Sequence, residues 1–127
     1  MAEDTKKERT KSFSKRTLAL EVRLAVRAIL EKKGEGVRVL DLRTISSFTD
    51  YFVIAHGNSS RQNAALADGV EQELKQAGVA PLGVEGRTHG EWILLDYGSL
   101  VVHIFSRAAR DHYALEKLWG DAPRLEY

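Results

Sequence analysis

Residues 100–106, Leu-Val-Val-His-Ile-Phe-Ser, carry apolar side chains at nearly every position. Successive side chains of a strand point to opposite faces. Leu100, Val102 and Ile104 therefore look one way, and Val101, His103 and Phe105 the other. Glu91 to Leu95 behaves alike, with Trp92 and Leu94 opposing Ile93 and Leu95. Strands of this kind need cover on both sides, so the chain must build a layered α/β domain rather than a one-sided sheet.

The remaining pattern supplies the layers. From Ser14 to Lys33, Leu18, Val22, Ala25, Val26 and Ile29 recur at helical spacing, and Gly34-Glu-Gly36 ends the run. Val37–Arg43 and Tyr51–His56 read as strands separated by the polar loop Thr44–Asp50. Ser59 and Gln62 have capping-box spacing; they open a helix with the ridge Leu66, Val70 and Leu74, closed by Gly78. A short strand near Leu82–Val84 precedes Glu91–Leu95 and Leu100–Ser106, which are joined by the turn Asp96–Ser99. Arg107–Trp119 reads as a closing helix and Asp121–Tyr127 as a loose C-terminal tail. The expected order is α-β-β-α-β-β-β-α: a mixed four- to five-stranded sheet with three helices, forming one domain over residues 15–120.

Three helices about 10 Å across do not cover both faces of five strands spaced about 4.8 Å apart. Apolar surface near Trp92 and Tyr97 is expected to stay open, as a contact for another protein.

The chain of 127 residues is 43% hydrophobic and has no cysteine, which excludes disulfides, thiolate zinc sites and cysteine nucleophiles. No apolar run approaches the roughly 20 residues of a membrane span, and the first residues lack a signal-peptide core. A soluble, cytoplasmic protein is expected. Residues 1–16 hold six bases and three acids; the remainder holds 13 bases and 15 acids. A basic tail, read as disordered over 1–14, thus precedes a slightly acidic body. Such a body suits nucleic acid poorly, although an RNA-binding module working through the tail is one alternative.

No catalytic constellation stands out. His56, His89, His103 and His112 lack metal-site spacing, and Gly57-Asn-Ser-Ser60 is explained by helix capping. Asp50, Asp96 and Asp111 are single acids, without the pair that two-metal chemistry needs. No cofactor or metal is expected. A residual magnesium-dependent nucleotidyltransferase using Asp50 or Asp96 is the enzyme alternative.

Seven segments in order carry a resemblance: Asp50-Tyr-Phe-Val-Ile54, Gly57-x-Ser-Ser-Arg-Gln62, Ala67-Asp68, Gly83-Val-Glu-Gly86, Trp92-x-x-x-Asp96-x-Gly98, Val101-Val-His-Ile-Phe105 and Tyr113-x-Leu-Glu-Lys-Leu-Trp119. Over about residues 18–122 the chain resembles the Iojap family, the ribosomal silencing factors. The resemblance implies a nucleotidyltransferase-like fold without the catalytic acid pair. It also implies binding to the large ribosomal subunit through ribosomal protein L-fourteen. By blocking subunit joining, such a protein represses translation when nutrients run short, and many members are homodimers. His56 and Ser99 depart from the family's commoner threonine and aspartate. The surplus apolar strand face and the mildly acidic body, taken with this likeness, give the expected contact surface as Trp92, Leu95, Asp96 and Tyr97, with Glu85 at its acidic edge. Trp92 serves as apolar anchor, Tyr97 as amphipathic contact, and Asp96 and Glu85 as partners for Lys or Arg. Structural roles are expected for His103, Tyr113 and Trp119.

Overall fold

The computed structural model describes residues 13–127, so the basic tail lies outside the described residues except at its end. The elements are α1 (Leu20–Glu31), β1 (Glu35–Asp41), β2 (Tyr51–Gly57), α2 (Ser60–Gln76), β3 (Gly83–Glu85), β4 (Trp92–Asp96), β5 (Leu100–Ser106), α3 (Arg107–Tyr113), α4 (Leu115–Leu118) and β6 (Arg124–Glu126). They form a mixed α/β fold around a six-stranded sheet of order β3-β4-β5-β2-β1-β6. β2 and β5 run parallel at its centre, and the other neighbours are antiparallel. No helix among the described residues is long and apolar enough to cross a membrane.

α1 and α2 cover one face of the sheet. Ile29, Leu66, Val70 and Leu74 pack there on Val53, Ile93, Leu95, Val102 and Ile104, all fully buried. The small residues of α2 bring it close to its neighbours. A Cβ at Gly69 would meet Ala28 of α1 and Lys32, which caps α1, at ordinary contact distance, so the two helices approach closely at this point. Ser59 caps α2 as expected, its hydroxyl accepting from Gln62 N at 3.0 Å. The Gln62 side chain reaches back to Asn58 N at 2.7 Å.

Four expectations need correction. α1 starts at Leu20 rather than Ser14. Ser14 and Thr17 instead bond each other in a local turn, the competition that keeps such residues out of helix interiors. The closing helix is broken at Ala114, which sits at φ 48° and ψ 50°. This left-handed residue separates α3 from α4, and nothing in the residue type announces it. The sheet has six strands rather than four or five. The sixth comes from the segment read as a loose tail, where Arg124, Leu125 and Glu126 pair with Leu40, Val39 and Arg38. A three-residue strand is too short to show alternation.

β6 also ties down α4, because the Arg124 guanidinium donates to the carbonyls of Glu116 at 3.1 Å and Trp119 at 3.3 Å. Asp41 N donates to Pro123 O at 2.8 Å and Tyr127 N to Val37 O at 3.0 Å. Deleting residues 123–127 removes these bonds and half-buried Leu125. It should cost about 2 kcal/mol, read as a fall in melting temperature of roughly 8 °C by thermal circular dichroism. An unchanged midpoint would mean that β6 contributes nothing to the fold.

Candidate partner-binding face

Strand register assigns every strand residue to a face, and three cross-strand rows build the one turned away from α1 and α2. Trp92, Phe105, His56 and Glu35 make the first row. Glu85, Leu94, His103, Ile54 and Arg38 make the second, and Asp96, Val101, Phe52 and Leu40 the third. Toward β1 and β2 this face is closed by Ala109 of α3, by Ala122 and by half-buried Leu115 and Trp119. Toward β3 and β4 the cover thins, and Trp92, Leu94 and Asp96 remain partly exposed.

The five expected contact residues divide accordingly. Trp92, Asp96 and Glu85 share this face. Leu95 does not: it is 0% exposed and packs under the helices, so a partner has no direct access to it. Tyr97 also turns to the helix side, half-buried against that core. Its hydroxyl is buried without a hydrogen bond, and burial pushes its pKa up, with Arg87 opposing. Leu95 and Tyr97 therefore leave the candidate site.

Asp96 Oδ1 accepts from Gly98 N at 2.8 Å, so one oxygen holds the β4–β5 turn. Glu85 is exposed and has no ion pair among the described residues. Gly86, next to it, has φ +82°, and a Cβ there would fall 1.8 Å from Trp92 O. Only glycine lets the chain pass this close to the backbone of β4.

Trp92 is held by chemistry as well as by packing. Its indole N–H donates to Nδ1 of His103 at 3.1 Å. An imidazole that accepts at Nδ1 carries its proton on Nε2, and Nε2 is buried without a partner. His103 is 4% exposed, and burial depresses its pKa to about 4. It is neutral at neutral pH, fixing the polar edge of the indole inward.

Sequence reasoning treated Tyr113 and Trp119 as structural and passed over Phe48 and Leu94. In the structure Tyr113, Trp119 and Phe48 belong to one aromatic belt, and Leu94 lies half-buried on the same face. Phe48 contacts Trp119 (centroids 6.2 Å), Trp119 contacts Phe52 (6.0 Å) and Phe52 contacts His103 (4.5 Å). His103 contacts Trp92 (5.9 Å), which contacts Tyr113 (4.5 Å). Phe48 is 65% and Leu118 74% exposed, far more than packing requires. Among the described residues no cluster of three or more His, Cys, Asp or Glu is placed to hold a metal ion. The arrangement offers an apolar docking strip with an acidic edge.

The unfolded chain protonates His103 near pH 6.5 and the native state only near 4. Its contribution to stability is therefore intact above pH 6.5 and falls by about 3 kcal/mol as the pH drops toward 4. Denaturant melts at pH 7 and 4.5 should show this slope in the native chain and a shallower one in His103→Gln. Equal slopes would mean that the imidazole is not buried as described.

The family model of "ribosomal silencing factor during starvation" matches residues 15–127. A ribosomal silencing factor of Halalkalibacterium halodurans is 42% identical over 105 residues, which cover 83% of this chain and 90% of the relative. A crystal structure of a protein from Chromobacterium violaceum superposes with a TM-score of 0.77 at 42% identity, covering 79% of this chain and 83% of that one. A more distant relative is the mouse "mitochondrial assembly of ribosomal large subunit protein 1". It is 28% identical over 102 residues, and the match spans 45% of its length. With the layered sheet, the ordered motifs and these matches in agreement, the chain belongs to the ribosomal silencing factor, or Iojap, family.

Proposed function

We propose that the chain docks on the large ribosomal subunit through ribosomal protein L-fourteen and so blocks joining of the small subunit, lowering translation when nutrients run short. The observation that carries this reading is the strip between β4 and α4, where Trp92 is fixed by His103 beside half-covered Leu94 and the belt of half-buried Trp119 and exposed Phe48. A large apolar surface bordered by charge marks a protein contact. Glu85 and Asp96 on the same face complement a basic ribosomal protein and steer its approach. Family membership supports the ribosome as the setting, and the name of the mouse relative points to the large subunit.

The contact consists of Trp92 and Leu94 at its apolar centre and Glu85 and the free oxygen of Asp96 at its acidic edge. Trp92 is prepaid for this role: its ring is immobilised before binding, so little side-chain entropy is lost on docking. An interface of about 800 Å² per partner on this face is enough to occupy the surface the small subunit needs. The mechanism is occlusion, and no bond is made or broken.

Cosedimentation with isolated large subunits tests the proposal. Trp92→Ala should weaken binding about thirty-fold, the loss of a central aromatic anchor worth about 2 kcal/mol. Glu85→Lys, at an exposed position away from the core, should weaken binding mainly at low salt. Native-like binding by both variants, with native circular dichroism, would place the contact elsewhere.

A further inference from the structure

Past the first row, the chain forms a concavity of about 430 Å³, bounded by β1, the end of β2, α3 and α4. Its chemistry differs from that of the rest of the domain. Arg38, Arg107, Arg110 and Lys117 line it together with Asp111 and Glu116; Arg38 is also paired with Glu126 at 3.1 Å and Glu35 borders His56, so the charge left to the cleft is that of Arg107 and Lys117 at its mouth.

The floor is built from buried polar groups. The Arg110 side chain is 9% exposed. Its Nε and Nη2 donate to the two oxygens of Glu116 at 3.1 and 3.0 Å, and Nη1 to His56 Nδ1 at 2.9 Å. Three of the five guanidinium N–H bonds are spent and two remain. Because His56 accepts at Nδ1, it carries a proton on Nε2. That atom is buried and makes no hydrogen bond; the Glu35 carboxylate stands 3.5 Å away. Gly36 keeps the floor open. At φ +59° it lies so close that a Cβ would sit 2.5 Å from Arg110 Nη1 and 3.0 Å from His56 Cε1. Glu116 is fully engaged, since Arg38 also bonds it.

The mouth is different. Arg107 and Lys117 are exposed, and neither side chain makes a hydrogen bond or ion pair among the described residues. Exposed, unpaired cationic side chains above an oriented guanidinium with spare donors match the oxygens of a phosphate. The volume lies within the range of small-molecule sites, about 300–1,000 Å³, and exceeds the needs of a lone carboxylate. No Phe, Tyr or Trp faces it, so it provides no platform for a base. An isolated basic hollow on an acidic body also lacks the continuous track that a nucleic-acid backbone follows.

We propose that this cleft binds a phosphate-bearing small molecule, its phosphates held by Arg107, Lys117 and the spare N–H donors of Arg110. Recognition is of the phosphates and not of any attached base. The site stands apart from the docking strip, and its truth does not depend on the proposed ribosomal role.

Titration of the full-length chain with pyrophosphate, ADP and GDP, followed by ¹H–¹⁵N NMR, tests this. Saturable shifts are expected at the backbone of Gly36 and Arg110 and at the arginine Nε–H of Arg110, with ADP and GDP alike. The double variant Arg107→Gln/Lys117→Gln should bind pyrophosphate about tenfold or more weakly while melting at the native temperature without ligand. Shifts confined to residues 1–16, or equal binding by the double variant, would overturn the assignment. So would a stronger response of the same signals to a short RNA than to the small phosphates, which would make the cleft a backbone contact instead.

Discussion

The parallel pairing of β2 and β5 organises the rest of the molecule. Seven residues of each strand lie side by side, from Tyr51 beside Leu100 to Gly57 beside Ser106, and both strands are buried nearly end to end. A parallel pair of this kind demands cover on two sides, yet the chain invests its two long helices on one. The other side receives a seven-residue helix, a single turn and the short segment that carries Trp119 and Ala122, which close it over β1 and β2 and leave it thin over β4. The open strip is therefore a consequence of how the helical residues are distributed, and function is placed where the cover runs out.

Much of this was legible because it is periodic. The strand cores, the ridge of α2 and the Ser59–Gln62 cap are short-range patterns. The missing features have no local signature. Ala114 takes a left-handed conformation that the sequence gives no glycine to mark. Arg-Leu-Glu at 124–126 is too brief for alternation, and the parallel register of β2 with β5 is a tertiary fact. Leu95 is a different kind of error. Alternation already sets it opposite Trp92, and only its nearness to the hairpin turn in the chain grouped the two. Phe48 went unnoticed because it sits in a loop of serines and threonines, where a lone aromatic looks incidental.

Chemistry at the centre of the second face links the two sites described. Trp92, Phe105 and His56 form one row, with the docking strip on one flank and the cationic cleft at its end. Both buried histidines of this face accept at Nδ1, one from an indole and one from a guanidinium, and burial is the leading cause that lowers both pKa values. α4 and the residue that caps it face both sites, giving Leu115 and Trp119 to the apolar cover and Glu116 and Lys117 to the cleft. Arg124 of β6 grips its carbonyls, so this single turn is held by the edge strand rather than by its own length.

The chain contains two tryptophans, and Trp92 and Trp119 both belong to the aromatic belt of this one face. Its intrinsic ultraviolet emission consequently originates from a single region of the surface, with no indole buried elsewhere to dilute it. Any macromolecule that covers the belt alters the polarity around both emitters at once. The unlabelled protein is thus its own optical gauge of occupancy.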